Sequence, residues 1–379
     1  MKIHLRIFSI ISAFIMITGC SKAESSSSNI NAVANIKASN INFYKTSDMV
    51  YEDGLIWFDG SKNTVSWLDL ETMESVVLCS KPNCTHNSSE CIARRVGDCP
   101  VIYNGYIYFM ESDENVIETP DGRKLELDSR LNRISLENSE LEEVCSFNDC
   151  SVRNGNGCVL AGSTLYFCGD DMDPVQDEYG NLWTSTSGGV HSLCSVDLET
   201  GKYTNYGSIY DGDKQFEAAS NSSGASIVGF GDSKLYVMYS FMKEFVQFEG
   251  SDIDERDVFT IMNFEFDLNT HELRQSELPP PSYARGDAYL CSNYPDNSST
   301  LIRNSEETTI EGLDVDMSGK FANDKIFMSD GWYDLDGVRH DMGRYTGWQF
   351  VTLYKKEYVF YQNREFVKLT EDELLSLEK

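Results

Sequence analysis

Basic charge, histidine, proline and long apolar runs are all scarce in this chain. Lys and Arg together number 31 against 61 Asp and Glu, a formal net charge of −30. So acidic a surface repels nucleic acid and other polyanions, because binding them depends on Lys and Arg contacts to phosphate. It remains compatible with cations, basic partners and neutral glycans, and it keeps a domain soluble. Beyond the first eighteen residues no apolar stretch approaches the length of a membrane span. Of five histidines, none of His86, His191, His271 or His340 sits in an H-E-x-x-H motif. There is no G-x-S-x-G elbow and no P-loop. Carboxylate pairs for glycoside cleavage carry no signal here, since 61 acids supply such pairs by chance. The sequence therefore names no catalytic residue.

The N-terminus is more informative. Lys2 and Arg6 precede an apolar run, Ile7 to Thr18, that ends in Ile17-Thr18-Gly19-Cys20. Twelve residues are too few to cross roughly 30 Å of hydrocarbon as a helix. The charged head, apolar middle and small-residue end follow the pattern of an export signal. Small residues followed directly by cysteine resemble the lipobox of bacterial lipoprotein precursors. That resemblance implies cleavage before Cys20, a diacylglyceryl group on its sulfur, and tethering at the outer face of a bacterial cell membrane. Residues 1–19 are then a signal peptide, and residues 20–44, with Ser25 to Ser28, a flexible leash.

From residue 45 onward the chain repeats a two-part unit. Its first part is a short strand, a Gly/Asn/Asp turn and an aliphatic-aromatic strand: Val50 to Phe58, Ile102 to Phe109, Leu160 to Phe167, Gly231 to Val237, Asn323 to Met328 and Lys356 to Tyr361. Its second part is a strand running into an acidic turn, as in Trp67-Leu68-Asp69-Leu70-Glu71-Thr72, Asn132 to Asn138, Cys194 to Gly201, Phe264 to Thr270 and Trp332 to Gly337. One more strand comes after each, giving four. The 20 Tyr and 20 Phe against 8 Pro favour sheet. Four-stranded units of roughly 40–50 residues recurring along a chain predict an all-β β-propeller. Seven blades result if Asp287 to Gly312 forms one, and six if it does not. The polar stretches Asp113 to Ser129, Asp170 to Gly189 and Phe245 to Asp257 read as insertions, and Pro279 to Pro281 as a link between blades. Over most of its length the repeat is similar to the TolB-like and YWTD propellers of exported bacterial proteins, which implies the fold and no particular activity.

Cysteine occurs eleven times, and ten remain after Cys20. Cys79-Ser80-Lys81-Pro82-Asn83-Cys84 and Cys145-Ser146-Phe147-Asn148-Asp149-Cys150 share the pattern C-S-x-x-x-C and lie 66 residues apart. Leu70 and Leu136 have the same spacing. The pairs therefore occupy one position in successive blades, and outside the cytoplasm Cys79, Cys84, Cys145 and Cys150 read as candidates for local disulfides, whose connectivity the sequence does not give. The first copy carries an alternative. Cys79, Cys84, His86 and Cys91 offer three thiolates and an imidazole within thirteen residues, a set that could close around a structural zinc ion.

Acidic turns at Asp314 to Gly319, Asp170 to Asp173 and Asp334 to Gly337 could hold calcium, or serve as hairpin turns. Trp57, Trp67 and Trp332 at strand positions suit packing between blades. The expected function is a lipid-anchored, non-catalytic module that binds a protein, peptide or glycan. The alternative is a surface carbohydrate-active enzyme, a hydrolase or lyase, on the same scaffold.

Overall fold

In a computed structural model, residues 49–377 are described apart from 52, 60–63, 82, 120–121, 153–156, 171–172, 177–181, 186–190, 211–222, 232, 243–258, 287, 294–295, 314–318 and 364. The expected signal peptide, Cys20, the leash, and the Asp314 turn as far as Ser318 lie outside the described residues.

Antiparallel strands form seven blades in a ring, so the chain is a seven-bladed β-propeller. Blade 1 comprises β1 (Met49–Tyr51), β2 (Gly54–Asp59), β3 (Thr64–Asp69) and β4 (Ser75–Val77); blade 2, β5 (Asp98–Tyr103), β6 (Tyr106–Thr119), β7 (Gly122–Ser135) and β8 (Leu141–Phe147). Blade 3 comprises β9 (Cys158–Ala161), β10 (Thr164–Asp170), β13 (His191–Asp197) and β14 (Tyr203–Ser208), with a separate hairpin, β11 (Asp173–Gln176) and β12 (Leu182–Ser185), inserted between its second and third strands. Blade 4 comprises β15 (Ser223–Gly231), β16 (Lys234–Met242), β17 (Phe259–Asp267) and β18 (Leu273–Gln275); blade 5, β19 (Tyr283–Arg285), β20 (Ala288–Ser292), β21 (Ser298–Arg303) and β22 (Glu306–Glu311). Blade 6 comprises β23 (Lys320–Ala322), β24 (Lys325–Met328), β25 (Gly331–Tyr333) and β26 (Arg339–His340). Blade 7 has three strands among the described residues, β27 (Gln349–Tyr354), β28 (Glu357–Gln362) and β29 (Glu365–Leu369), and then the short helix α1 (Glu371–Ser376). The stretch Asp287 to Gly312 thus belongs to a full blade, the fifth. Pro279 to Pro281 lies between blades 4 and 5, as its composition predicts.

First strands of neighbouring blades meet: β1 packs on β5, β9 on β15 and β23 on β27. β15 and β19 even share a parallel pairing, Phe230 with Arg285. The first strand of each blade is therefore the innermost. The core is distributed between blades, because alternate residues of each strand face opposite neighbours. In β10, Leu165 and Phe167 pack towards blade 2, while Tyr166 and Cys168 pack towards blade 4. Strands buried on both faces read as nearly continuous apolar runs, which is why these segments look so hydrophobic in an acidic chain.

Turns obey the residues that make them. Asn104 and Gly105 have φ of 47° and 78°, and Asn323 and Asp324 have 50° and 56°, the left-handed pair of a type I′ hairpin turn. Between third and fourth strands, Asp69 Oδ1 accepts from the amides of Glu71 and Thr72, and Asp267 Oδ1 from those of Asn269 and Thr270. Asp334 Oδ1 is used the same way, by Asp336 and Val338. These carboxylates close turns.

The ring closes without a strand shared between its ends among the described residues. Trp57 of blade 1 packs against Tyr361 and Phe366 of blade 7, with Leu55, Leu68, Val351 and Val359 in the same cluster. Tyr354 Oη donates to Asp53 Oδ1 at 2.7 Å, and Lys355 Nζ lies 2.9 Å from Glu71 Oε2.

Candidate metal centre

Strand β4 has only three residues, and its shortness sets the geometry of the link between blades 1 and 2. In β8 the fourth strand continues through Cys145, which pairs with Leu131. In blade 1 the ladder stops at Val77, and Cys79 leaves it for a link that reaches β5 with only a 3-10 turn, Ile92–Arg94, on the way. Both fourth strands keep one register, Ser75 opposite Leu68 and Leu141 opposite Ile134, the same 66-residue offset as the cysteine pairs.

The link fills the wedge between the outer strands of blades 1 and 2. Ile92, Val96 and Cys79 pack on Phe109, Ile134 and Leu141, and the 3-10 turn also lies against β3. Ser80 Oγ donates to the carbonyl of Asn138 at 3.3 Å, and Lys81 Nζ to that of Glu90 at 3.0 Å. Two backbone turns, Cys84 N–H to Lys81 O and Cys91 N–H to Ser88 O, fold the segment back on itself. Asn83 and His86 both take left-handed φ, 61° and 57°.

The result brings Cys79, Cys84, His86 and Cys91 together, with one ligand atom from each, all within 4.8 Å of one another. His86 Nδ1 lies 3.4 Å from Cys91 Sγ. Cys91 is fully buried and the other three are half-buried. The His86 amide hydrogen-bonds the Cys84 sulfur and is the main cause that holds its thiol below the usual range, against a smaller opposing effect of burial. Burial pushes the Cys91 thiol up to about 11, although the Ala93 amide donates to its sulfur.

No two of the ten described cysteines stand at disulfide distance, and all ten are free in this structure. Cys79 and Cys84 belong to the four-residue cluster. Cys145 sits in the β8 ladder, its thiol raised to about 11 by burial, while Cys150 turns into the interface of blades 2 and 3. There its sulfur lies 4.0 Å from Cys194 Sγ, about twice a disulfide bond length. Tyr203 Oη reaches both sulfurs, at 3.5 and 3.3 Å. At the offset that relates the copies, the second has Val152 where the first has His86, and Val152 is buried among apolar side chains.

Sequence reasoning misses a second cluster. At the end of β10, Asp170 Oδ1 lies 2.7 Å from His191 Nδ1, with side chains 6% and 2% exposed. The pair sits at the root of the β11–β12 hairpin, and Ser151 N–H and C=O bridge the Asp170 backbone. No spacing motif announces it, since the two residues are joined only by strand register. Both side chains are buried. His340 is likewise occupied, stacked 3.7 Å from Trp332 with its Nε2 3.2 Å from Asp334.

One face of the ring is built up over blades 2 and 3. β6 and β7 pair from Tyr106–Ser135 out to Thr119–Gly122. Eight residues beyond the six of β2 add roughly 25 Å of ribbon at 3.3 Å per residue. The hairpin of β11 and β12 rises from the corresponding position of blade 3, and β11 lies beside β7. The insertion at Phe245 to Asp257 lies outside the described residues.

No family model matches the chain, and no curated protein matches it either. Solved structures similar to it include an oligogalacturonate lyase in complex with manganese, 13% identical over 86% of this chain and 77% of that one, with a TM-score of 0.28. The tricorn protease is 9% identical over 93% of this chain and 36% of its own, TM-score 0.29, and the hydrazine synthase of Kuenenia stuttgartiensis 11% identical over 75% and 80%, TM-score 0.28. Likenesses this distant carry no inference about activity.

Proposed function

We propose that the chain is an exported, lipid-anchored β-propeller that acts as a non-catalytic binding module for a protein, peptide or glycan, using the face that bears the extended hairpins. The observation that carries this reading is the β6–β7 ribbon with the β11–β12 hairpin beside it. Blade 6 joins its second and third strands by a two-residue turn, so the ring can form without such extensions. A two-stranded ribbon is marginal on its own, and its placement beside a second hairpin makes a wall at the mouth of the ring. Asp113 and Asp128 at its base are acids, the first exposed and the second half-buried, which suits a basic protein surface or a neutral glycan and repels polyanions.

The test is capture by the full-length protein in detergent, from glycan arrays and from cell-surface extracts. A variant in which Asn-Gly replaces residues 113–128 closes the ribbon at the Ser112–Ser129 pair. Loss of capture with an unchanged circular dichroism spectrum supports the reading. Equal capture by the variant overturns the choice of face, and turnover of any polysaccharide overturns the non-catalytic assignment. For the anchor, Cys20→Ser should abolish incorporation of labelled palmitate and move the protein out of the membrane fraction; unchanged labelling removes the lipid from the proposal.

A further inference from the structure

We propose that Cys79, Cys84, His86 and Cys91 bind one zinc ion in a closed, four-coordinate structural site that staples the link between blades 1 and 2.

Three geometric facts favour a metal over any thiol pairing. First, the cluster has four members, each offering one ligand atom, all mutually within 4.8 Å. Tetrahedral zinc with Zn–S near 2.3 Å and Zn–N near 2.05 Å puts its ligand atoms roughly 3.6–3.8 Å apart. The 3.4 Å between His86 Nδ1 and Cys91 Sγ is close to that edge. A disulfide uses two sulfurs at about 2.05 Å. It would strand the third cysteine and give the imidazole no role.

Second, backbone amides already point at two of the sulfurs. His86 N–H donates to Cys84 and Ala93 N–H donates to Cys91, each from two residues further along the chain. Such bonds orient the sulfurs, as outer-shell partners of a metal site do.

Third, a staple adds to what holds the segment. Among the described residues it makes no strand pairing between β4 and β5, and side-chain packing holds it: Ile92, Val96 and Cys79 on blade 2, with Leu78 and Val96 also against Ile56 and Val65 of blade 1. Non-glycine residues at positive φ, Asn83 and His86, add backbone cost. The equivalent link after blade 2 has no histidine at the matching position; Cys150 there faces a buried interblade core instead.

The donor set selects the metal. Three soft thiolates and one imidazole in a tetrahedral arrangement suit zinc, whereas calcium and magnesium require oxygen ligands. All four positions are filled by protein, so no site is left for a substrate or an activated water. On binding, the three thiols give up their protons to solvent and the ion takes their place; no oxidant or reductant is needed. This inference does not depend on what the propeller binds.

The test uses the full-length protein, purified in detergent with a reductant after growth with added zinc salt, and measures metal by mass spectrometry after dialysis. One zinc per chain is expected. Cobalt(II) exchanged into the site should give thiolate charge-transfer bands and the intense visible bands of tetrahedral cobalt. Cys84→Ser and Cys91→Ser should each weaken zinc binding by more than about 100-fold, beyond the loss typical of outer-shell changes. Cys145→Ser should retain the metal in full. His86→Cys, which keeps four ligands, should also retain it while strengthening the charge-transfer bands, so the result stands even where a serine variant folds poorly. Reduced wild-type protein that takes up neither zinc nor cobalt overturns the proposal. So does metal retained in the Cys84→Ser, Cys91→Ser double variant. Iron found in place of zinc overturns the identity of the ion.

Discussion

Asp170 and His191 show how much a single buried residue can hold in this fold. Their side chains are at most 6% exposed and meet at 2.7 Å, and the His191 ring makes a T-shaped contact with Tyr239. Removing the imidazole takes a hydrogen bond from the buried Asp170 carboxyl and leaves a cavity in its place. His191→Ala should therefore cost about 3 kcal/mol or more, read as a lowered denaturation midpoint; a loss within error would mean the pair contributes nothing. Glu265 makes a contrasting case on β17 of blade 4, between β16 and β18. Burial works against its ionisation, but Lys234 at 2.8 Å, Ser276 at 2.9 Å and Arg274 at 3.2 Å hold its carboxyl below the usual glutamate range. A carboxyl with a lowered folded-state pKa stabilises the protein above its unfolded value and loses that contribution as pH falls through the folded one. Glu265→Gln should therefore destabilise at pH 7 and converge with the wild type in acid. Denaturation at both pH values checks this, and an equal gap at each would assign the effect to packing.

At the level of elements, the two cysteine copies explain what the sequence can and cannot disclose. Their 66-residue spacing locates the fourth strands of blades 1 and 2, and β4 and β8 do share a register. The same symmetry suggests identical chemistry, and there it misleads. In β8 the ladder carries past Cys145, whereas in blade 1 it ends at Val77 and frees Cys79 to meet Cys84, His86 and Cys91. Ladder length is decided by tertiary packing against the next blade, and no local pattern records it. The blade repeat is legible because strands alternate between two neighbours. Blade 5 is the obscure one, since β22 is a run of exposed polar residues broken by the buried Ile310 alone and shows no alternation. If the link between blades 1 and 2 is stapled by metal, a strong chelator should raise amide hydrogen exchange across residues 79–96 while leaving blades 4 to 6 protected. Uniform deprotection would mean that the metal supports the ring as a whole; no change would mean that it supports nothing.

For the whole molecule the central problem is how a ring without a shared closing strand among its described residues stays shut. The seam between blades 7 and 1 has two parts. One is apolar: Trp57 against Tyr361 and Phe366, with ring centroids 5.7 and 5.2 Å apart, backed by Leu55, Leu68 and Val359. The other is polar: exposed Lys355 pairs with exposed Glu71, and the buried Tyr354 donates to Asp53. Exposed ion pairs are screened by salt and contribute little. A buried tryptophan removed from a packed interface costs about 3–5 kcal/mol through lost transfer energy and the cavity left behind. Trp57→Ala should therefore open the seam, lowering the denaturation midpoint and exposing the blade 1 amides to exchange before those of blade 4. Lys355→Ala should shift the midpoint only slightly, and the shift should vanish at high salt. The opposite ranking would show that an acidic ring, at a net charge of −30, is held closed by its few cations and not by its aromatic seam.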